Sequence, residues 1–538
     1  MKRFLSLFAT GTVAGLAALG FNFMLRLGGI AAFPPESALS AFLRVVPAYI
    51  EEPMVQEFAD FAGPLGLIVI SLIAALLYGA IFVVYDRFAA AKVARLGLSS
   101  LETILVMSLI PWILFGLVLF PVDGDAAFGM GPFASPSSAF IFPLGLLLAQ
   151  AVFALLASAR YHLPSASTIA VLPDKLRPNL QRRDFIEKGI IVILAIAGAV
   201  VGVTGLGLLF PSEPVAEVGQ PINLAGAPAI FSDPRLATLV DSEVTSAAAF
   251  YRVAIDIIDP TVDASIWSLA VDGLVGSPKT YSIKDVQSFP EATQYATMEC
   301  VSNELNGNLI SNAMWGGVKI SDILASAGGA QSGARYVVFY SIDGYSVGIP
   351  LEKAMMPDSI LAYSLNGETL PVGHGYPLRG VIPGLYGMMS AKWVTRISVV
   401  GSAYDGYWQT RGWTNDATVY TEVFIILPSA SGVDLLQSGG SIMVAGFAYA
   451  GDRGISKVEV SFDNGRTWEQ ATLKPPLSNL TWVLWAYEWI PPPLYRAGEY
   501  VVIARATDGT GQVQTSAEAG TYPNGATGYA SLQLQITS

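Results

Sequence analysis

Five long apolar segments precede residue 211, and they constrain the fold of this chain more than any other feature. They cover residues 4–25, 64–85, 101–121, 139–159 and 189–210. A helix needs about 20 apolar residues to cross the hydrocarbon core of a bilayer, so each segment is long enough to span a membrane. The hydrophobic fraction of 52% agrees with a partly embedded chain. We therefore predict an all-α transmembrane bundle of five spans over residues 1–210.

Loop charges predict the orientation of this bundle. Lysine and arginine dominate before the first segment, after the second and before the fifth, whereas the two intervening loops are acidic. Because basic loops stay in the cytoplasm, the N-terminus is predicted inside and everything after residue 210 outside, in the cytoplasmic membrane of a prokaryote. The chain has two histidines, His162 and His374, so the spans cannot hold a haem between two histidines. We interpret the bundle as a lipid-embedded anchor.

The second half of the chain has a different charge balance. Residues 211–538 carry 17 Lys and Arg against 30 Asp and Glu, a net charge of −13, whereas the first 210 residues have a net charge of +1. This acidic surplus argues against binding to nucleic acid. Five prolines among small residues predict a linker over 211–245.

Residues 246–428 have the pattern of an α+β domain. Short β-branched and aromatic runs, such as 337–340 and 397–400, alternate with turns rich in glycine and proline. A short helix is predicted at 319–327. This mixture of short strands and helices is typical of an α+β fold.

The chain has one cysteine, Cys300. A single cysteine excludes an internal disulfide framework and an iron–sulfur cluster held by cysteines alone. A lone cysteine is more often a small buried hydrophobic residue than a ligand. However, a thiolate is a soft metal ligand, and one is enough when a cofactor supplies the other sulfurs. The residues around Cys300 decide between these interpretations.

A series of motifs accompanies Cys300 in a fixed order over about 165 residues. They are Phe250-Tyr251-Arg252, 259–263, 267–275, 297–304, 315–318, His374-Gly375-Tyr376-Pro377-Leu378-Arg379, 381–387, Ser390-Ala391-Lys392-Trp393, 406–408 and 411–413. Together they resemble the sulfite oxidase family of molybdopterin enzymes, and such a run is far more specific than any short motif. The resemblance implies the sulfite-oxidase fold for residues 246–428 and a molybdenum–molybdopterin cofactor.

The resemblance also implies roles for individual residues. Cys300 matches the molybdenum ligand and is expected to be catalytic. His374 and Arg379 match positions that hold the pterin and its phosphate, which suits the donor capacity of imidazole and guanidinium. The remaining residues expected to bind the cofactor are Tyr251, Arg252, Asn303, Ser390 and Lys392, with Asn303 acting from behind Cys300. Asp343 and Tyr345 are expected in the substrate pocket as further catalytic residues.

Each of these residues has a simpler alternative. His374 could be an ordinary loop histidine, and Lys392 a solvated surface lysine. The Asp343-Gly344-Tyr345 sequence is equally typical of a turn. Tryptophans such as Trp413 belong to a hydrophobic core more often than to a cofactor wall.

The sequence departs from the family at positions that recognise sulfite. True sulfite oxidases carry arginine shortly after the ligand cysteine, but this chain has Glu304 and Leu305 there. A charged pair expected near the end of the domain is replaced by the apolar run 423–427. Since sulfite is an anion that needs clustered guanidinium groups, a small S-oxide or thioether substrate fits better. The sequence does not separate an oxidase from a reductase.

Residues 429–538 predict an immunoglobulin-like β-sandwich, because short strands recur there with tight turns such as Asn464-Gly465. The stretch 461–468 is similar to the dimerisation domain that follows the molybdenum domain in this family. That likeness implies a homodimer, although the domain could equally dock another subunit of a larger membrane complex. Without its own haem or cluster motif, the enzyme needs a separate cytochrome or quinone-linked redox partner.

A structural subunit and a transporter are the two alternative functions. A structural subunit of a membrane electron-transfer complex could keep the fold without the chemistry, and the missing arginines favour it. Cys300, His374 and Arg379 oppose it. A transporter with a soluble appendage is disfavoured, because the spans show no paired charges and no internal repeat.

Arg182-Arg183, before the fifth apolar segment, resembles a twin-arginine export signal placed internally. Export of a folded domain would allow a cofactor inserted in the cytoplasm to cross the membrane with its protein. The alternative is ordinary positive-inside charge, which also produces adjacent arginines.

Changing both Arg182 and Arg183 to lysine separates these alternatives, because it keeps the charge and removes the signal. We expect residues 211–538 of the variant to remain in the cytoplasm. Protease added outside the cells should then fail to cleave them. Accessibility equal to that of the parent protein would contradict an export signal.

Overall fold

The computed structural model describes residues 2–27, 68–87, 226–255, 259–260, 262–429, 432–434, 440–491 and 498–537, with short helical pieces between 33 and 154. The chain divides into two compact units, and the larger one holds residues 213–255 and 259–538. The predicted spans 101–121 and 139–159 lie mostly outside the described residues, and the span 189–210 lies entirely outside them. The same is true of Arg182 and Arg183.

The smaller unit contains two long helices, α1 (Lys2–Leu27) and α2 (Ile68–Arg87). Within the described residues, these are the two helices that are long and apolar enough to cross a membrane, where the sequence predicted five spans. A Cβ atom added at Gly11 would lie 2.6 Å from the Cβ of Phe82, and one added at Gly15 would lie 2.5 Å from the Cβ of Tyr78. These glycines let the two helices pack closely.

The larger unit begins with an α+β part, residues 226–421. Its strands are β1 Ser268–Gly273, β2 Lys279–Ser282, β3 Glu291–Glu299, β4 Ile310–Lys319, β5 Tyr336–Ser341, β6 Ser346–Pro350, β7 Ile360–Leu365, β8 Glu368–Thr369, β9 Arg379–Val381 and β10 Val394–Val400. Its helices are α3 Ala237–Asp241, α4 Ile283–Gln287, α5 Ile320–Ser326 and α6 Leu351–Ala354. The strands predicted at 337–340 and 397–400 and the helix predicted at 319–327 are confirmed.

Two sheets form this part. One has the order β2-β1-β10-β5-β6, and the other has the order β3-β4-β7-β8 with β9 added to β7. Strands β1 and β10 are parallel neighbours, with Ala270 opposite Arg396, whereas β3 and β4 form a long antiparallel pair. Strand β3 ends at Glu299, so Cys300 is the first residue after this strand.

The rest of the unit, residues 422–537, is all-β in its described residues. The sequence predicted an all-β domain from residue 429, so its first strand begins before the predicted boundary. Its strands are β11 Glu422–Leu427, β12 Gly432–Asp434, β13 Ile442–Tyr449, β14 Ile455–Ser461, β15 Glu469–Gln470, β16 Thr472–Leu473, β17 Val483–Trp489, β18 Gly498–Asp508 and β19 Ala530–Thr537. They form the sheets β11-β13-β17-β16 and β12-β19-β18-β14-β15. An immunoglobulin-like topology stays a prediction.

Strand β13 joins the two parts of the unit, because all eight of its residues are buried. Val444 and Ala448 belong to the core shared by the two C-terminal sheets. Ala445 and Phe447, on the opposite face, belong to the core of the α+β part. Successive side chains of a strand point to opposite faces, so this sheet lies between two hydrophobic cores.

The leading segment, residues 226–252, also contacts both parts. The sequence predicted a linker over 211–245, yet the described end of that range forms short helical turns and α3, and it buries Leu236 and Leu239 in the core. Arg235 donates to Glu488 of β17 at 2.8 Å. The burial arises from tertiary contacts that proline content does not reveal.

A buried ion pair fixes this segment to the β part. Lys474 Nζ donates to both carboxylate oxygens of Glu243, at 2.7 and 3.0 Å, and the side chains are 4% and 1% exposed. The backbone carbonyl of Glu243 accepts hydrogen bonds from Asn312 Nδ2 at 2.7 Å and from Trp482 Nε1 at 3.1 Å. Three separate regions of the chain therefore meet at Glu243.

Replacing Lys474 with methionine should destabilise the larger unit by about 3–5 kcal/mol, because it leaves the buried Glu243 carboxylate unpaired. Proteolysis of the detergent-solubilised full chain at increasing urea measures the change. The matched control is Lys457→Met, which removes a pair with Glu459 in which the lysine is 38% exposed. That change should cost below about 1 kcal/mol. Equal effects of the two substitutions would contradict this account of Glu243.

Candidate active site

One pocket in the larger unit collects nearly all the residues that the sequence analysis selected. The selected residues that line it are Tyr251, Arg252, Cys300, Asp343, Tyr345, His374, Arg379, Ser390 and Lys392. They come from the leading segment, the turn after β3, the β5–β6 turn and the chain from 374 to 392. The fold therefore brings together positions that are widely separated in the sequence.

Cys300 occupies the first position after β3. Its backbone N–H donates to the carbonyl of Leu309 at 2.9 Å, and its carbonyl accepts from the N–H of Asn303 at 3.0 Å. The Sγ atom lies 3.0 Å from Ser302 Oγ, and the residue is 8% exposed. The thiol is thus held in a closed turn with access to the pocket alone.

Asn303 lies behind Cys300 and is not one of the lining residues of the pocket. Its Oδ1 accepts from the N–H of Leu309 at 2.8 Å, and its Nδ2 donates to Glu299 Oε1 at 2.9 Å. Both ends of the amide are used to close the turn that carries the cysteine. The structure therefore places Asn303 behind the cysteine, where it can act on the site by positioning Cys300.

Arg379, at the start of β9, is a buried cation surrounded by neutral groups. Its guanidinium donates to the carbonyls of His374 at 3.1 Å and Ser390 at 3.3 Å, and to Met298 Sδ at 3.2 Å. It also stacks on the Trp315 ring at 5.0 Å. Burial lowers the pKa of Arg379 to about 10. Buried charges are normally paired, so this site favours an anionic ligand.

Lys392 is a second cation at the pocket. Its Nζ donates to the carbonyl of Gly373 at 3.1 Å and lies 4.3 Å from the ring of Trp393. Burial, assisted by the nearby Arg379, lowers the pKa of Lys392 to about 7. Within the part of the chain that the structure describes, neither Lys392 nor Arg379 forms an ion pair with a carboxylate. The alternative of a solvated lysine is wrong.

Trp393 holds Lys392 in place through a strained backbone. Its φ of 50° is unusual for a bulky residue and costs about 1–3 kcal/mol. The indole Nε1 donates to the carbonyl of Val372 at 2.8 Å, which fixes this conformation. Trp393 is 1% exposed and Trp315 is fully buried, so both are core residues as expected.

His374 connects the pocket to the leading segment. Its Nε2 lies 2.8 Å from the carbonyl of Ala247, so Nε2 carries the proton and donates it. The ring packs edge-on against Phe250 at 5.5 Å. Burial, together with the nearby Arg379, lowers the pKa of His374 to about 4, so the imidazole is neutral near pH 7. The histidine therefore contributes hydrogen bonding and no charge.

Asp343 and Tyr345 share one tight turn between β5 and β6. Asp343 Oδ1 accepts from the N–H of Tyr345 at 3.0 Å, and the Tyr345 hydroxyl donates to the carbonyl of Met388. Burial raises the pKa of Asp343 to about 6. The Asp343-Gly344-Tyr345 sequence therefore forms a tight turn, and the side chains of Asp343 and Tyr345 also line the pocket.

Sequence reasoning missed part of the pocket wall. The additional lining residues include Met298, Ser302, Met388, Trp408 and Trp413. Trp413 was expected in the core, and it is 7% exposed with its ring edge-on to Tyr522 at 5.3 Å. The signal for Trp408 was present in the motif at 406–408. Methionines and tryptophans give this wall an apolar character.

The residues present fit a molybdopterin cofactor. Cys300 offers one soft thiol ligand. Among the described residues, the buried Arg379 and the half-buried Lys392 form no ion pair with a carboxylate, so both can bind the phosphate of a pterin. His374 and Ser390 add neutral polar groups beside them. These residues thus suit a cofactor in which a metal is ligated by a thiolate and is carried by a phosphorylated organic group.

Comparison with known protein families supports the same cofactor. Residues 257–408 match the oxidoreductase molybdopterin binding domain, and residues 413–521 match the Mo-co oxidoreductase dimerisation domain. The pocket and these matches define the class: the chain is a molybdopterin-dependent oxidoreductase.

Individual relatives narrow the class. The chain is 31% identical to the sulfite oxidase of Arabidopsis thaliana over 292 residues, which are 45% of this chain and 73% of the plant protein. It is 31% identical to the sulfite oxidase of Gallus gallus over 47% of this chain and 64% of that protein. An uncharacterized Bacillus subtilis oxidoreductase, YuiH, is 36% identical over 28% of this chain and 74% of its own length. The chain therefore belongs to the sulfite oxidase family.

Among solved structures, the sulfane dehydrogenase SoxCD of Paracoccus pantotrophus is similar to this chain. The TM-score is 0.48 and the sequence identity is 22%, over 61% of this chain and 96% of that one.

The buried lysine predicts how stability depends on pH in the cofactor-free protein. The pKa of Lys392 falls from 10.5 to about 7 on folding, so the unfolded chain binds more protons between these values. The free energy of unfolding should therefore rise from about pH 7 to about pH 10. Lys392→Met should flatten this rise, as measured by urea unfolding of protein made without the cofactor. The control Lys457→Met should follow the parent, and an unchanged slope in Lys392→Met would contradict the assignment.

Proposed function

We propose that the chain is a membrane-anchored, extracytoplasmic enzyme that acts on a small neutral substrate in one of two directions. It adds one oxygen atom and takes two electrons from the substrate, or it removes one oxygen atom and supplies two electrons. It then exchanges electrons with a separate redox partner. The observation that carries this proposal is that the thiol of Cys300, the buried Arg379 and the half-buried Lys392 line the same pocket. Metal ligation and phosphate binding are thereby available at one site.

The residues of the pocket divide into a ligand for the metal and side chains that would bind the pterin. Cys300 would ligate the molybdenum, and His374, Arg379 and Lys392 would hold the pterin and its phosphate. Tyr251, Arg252 and Ser390 would complete the cofactor wall. When bound, the cofactor supplies two-electron redox chemistry and a position for the transferred oxygen.

The character of the pocket supports a neutral substrate such as an S-oxide or a thioether. Met388, Trp408 and Trp413 present apolar surface to it. Glu304, at a position where sulfite oxidases carry arginine, is exposed to solvent. Leu305 packs towards Gly528 of the β part, where an added Cβ would lie 2.8 Å from Leu305 Cδ1. Neither residue offers the positive charge that a sulfite ion requires.

Asp343 is suited to handle a proton during oxygen transfer. Burial raises the pKa of its carboxyl to about 6, so it can accept and release a proton near neutral pH. The N–H of Tyr345 holds the carboxylate in position. Tyr345, whose hydroxyl donates to a backbone carbonyl, would orient the substrate through its ring.

A separate electron carrier follows from the composition of the chain. In the described residues, no group of three or more His, Cys, Asp and Glu side chains is arranged to hold a metal. A cytochrome or a quinone-linked protein would therefore exchange electrons with the site. The match to a dimerisation domain supports a homodimer, and the apolar helices α1 and α2 support a membrane anchor. The charges of the predicted loops support a position of the enzyme part outside the cytoplasm.

A structural subunit without chemistry is the second candidate. It is favoured by the absence of arginine after Cys300, since a subunit that has lost its reaction can also lose its substrate ligands. A structural subunit would not need to retain the thiol of Cys300 or the cations of the pocket.

Replacing Cys300 with serine distinguishes the candidates. The enzyme should lose at least about 100-fold in activity, because a metal ligand is worth more than the outer contacts whose loss costs about 10–100-fold. Reduction of methionine sulfoxide by a viologen dye measures activity, and elemental mass spectrometry measures molybdenum per chain.

Ser288→Ala is the matched control, since Ser288 does not line the pocket and its hydroxyl donates to the carbonyl of Asp285, so activity should stay within a few-fold of the parent. Full activity in Cys300→Ser would contradict the enzyme proposal. A parent protein that lacks molybdenum, although folded and made in cells that produce the cofactor, would support the structural subunit.

A further inference from the structure

The β part of the larger unit, residues 422–537, contacts the segment of the chain that carries Cys300. This cysteine segment, residues 297–306, comprises the last three residues of β3 and the turn that follows them. Its two ends hydrogen-bond to strands β11 and β13 and to the chain between β16 and β17. The family match describes residues 413–521 as a dimerisation domain, and contact with the cysteine segment is a separate feature of that region.

The first end of the cysteine segment is attached at Thr297. The N–H of Thr297 donates to the carbonyl of Leu480 at 3.0 Å, and its Oγ1 accepts from the N–H of Trp482 at 2.9 Å. The carbonyl of Thr297 accepts from the hydroxyl of Tyr449, the last residue of β13, at 2.9 Å. Thr297, Tyr449 and Trp482 are all buried, so loss of one of these hydrogen bonds leaves a polar group without water or partner.

The second end of the cysteine segment is attached at Asn306. Its Oδ1 accepts from the N–H of Ile425 at 2.6 Å, and its Nδ2 donates to the carbonyl of the same residue at 3.2 Å. Ile425 belongs to β11, which is an edge strand of its sheet. The amide of Asn306 therefore pairs with the outer edge of this strand as a neighbouring peptide would. The φ of Asn306 is 62°, a conformation that asparagine adopts more readily than most residues.

A third contact lies between these two ends. The carboxyl group of Glu299 lies beside that of Glu422, the first residue of β11, and both side chains are buried. Cys300 follows Thr297 by three positions and precedes Asn306 by six. The position of its sulfur therefore depends on two strands of the β part as well as on the α+β part.

We propose that the β part holds the cysteine segment in position, with Tyr449 and Asn306 as positioning residues for Cys300. A metal ligand has to be fixed by its surroundings, because its orientation tunes the metal. The inference rests on the proposed function for the ligation of molybdenum by Cys300. The holding of the segment itself can be measured without the metal.

The reactivity of the thiol tests the proposal in the detergent-purified full chain made without the cofactor. Cys300 is the one cysteine of the sequence, so the release of coloured thiolate from an aromatic disulfide reagent reports on this segment alone. Because Cys300 is 8% exposed, the reagent reaches it when the segment opens. Tyr449→Phe and Asn306→Gly should each raise the rate about fivefold, since loss of one ordinary hydrogen bond shifts an opening equilibrium by about that factor.

Each variant has a matched control. Tyr281→Phe removes another buried tyrosine hydroxyl, which donates to the carbonyl of Ile323 and lies outside the pocket. Asn464→Gly makes the same change at an exposed asparagine whose φ is 63°. The rate of thiol modification should stay at the parent value in both controls.

Urea distinguishes opening of the segment from damage to the whole fold. Below the unfolding transition, the rate in Tyr449→Phe and Asn306→Gly should not depend on urea, because opening of the segment alone exposes little surface. A rate that rises steadily with urea would show that modification requires unfolding of the larger unit. That result would contradict the proposal.

The molybdenum-loaded full chain provides a second measurement. The electron paramagnetic resonance spectrum of the half-reduced protein should change in Tyr449→Phe and Asn306→Gly, since a displaced sulfur alters the surroundings of the metal. The spectra of Tyr281→Phe and Asn464→Gly should match that of the parent. This spectrum does not depend on the identity of the substrate.

Three further outcomes would overturn the proposal: an unchanged thiol rate in either Tyr449→Phe or Asn306→Gly, an equal gain in the controls, or unaltered spectra in both variants. A parent protein without a molybdenum signal would refute the ligation assigned under the proposed function. The thiol rates would still decide whether the β part holds the cysteine segment.

Discussion

The burial of positive charge without a carboxylate partner is the constraint on which the active site depends. Arg379 is 4% exposed and is held by backbone carbonyls, a thioether and an indole ring. Such a cation is tolerated only where many weak acceptors are fixed around it. The strained turn at Trp393 and the hydrogen bond between His374 and Ala247 are parts of this framework. The pocket therefore carries positive charge that the anionic group of a cofactor would neutralise.

The framework extends beyond the α+β part. Both faces of β13 are buried, so the sheet that carries it belongs to two hydrophobic cores. The leading segment adds a third connection through Glu243 and Lys474, and its end supplies Tyr251 and Arg252 to the pocket wall. Distant packing can thus move residues of the active site, because the cores are dense and transmit displacement.

Local sequence patterns predicted what local interactions determine. Strands at 337–340 and 397–400 and the all-β character after 429 followed from alternation and turn residues. The family resemblance identified nine residues of the pocket, including Cys300, because all nine are expected at one cofactor and substrate site. The burial of Leu236 and Leu239, within the predicted linker, depends on three-dimensional neighbours, which no spacing in the sequence encodes.

The connectivity of the larger unit has a kinetic consequence. Strand β1 pairs with β10, and Glu243 pairs with Lys474, so contacts that close the pocket join residues far apart along the chain. Chains rich in such non-local contacts fold slowly, since loop closure must precede the stabilising contacts. Trp408 and Trp413 of the pocket wall follow β10 in the chain, and the partner of Glu243, Lys474, follows later still. The pocket is therefore complete only after the chain has been synthesised beyond Trp413.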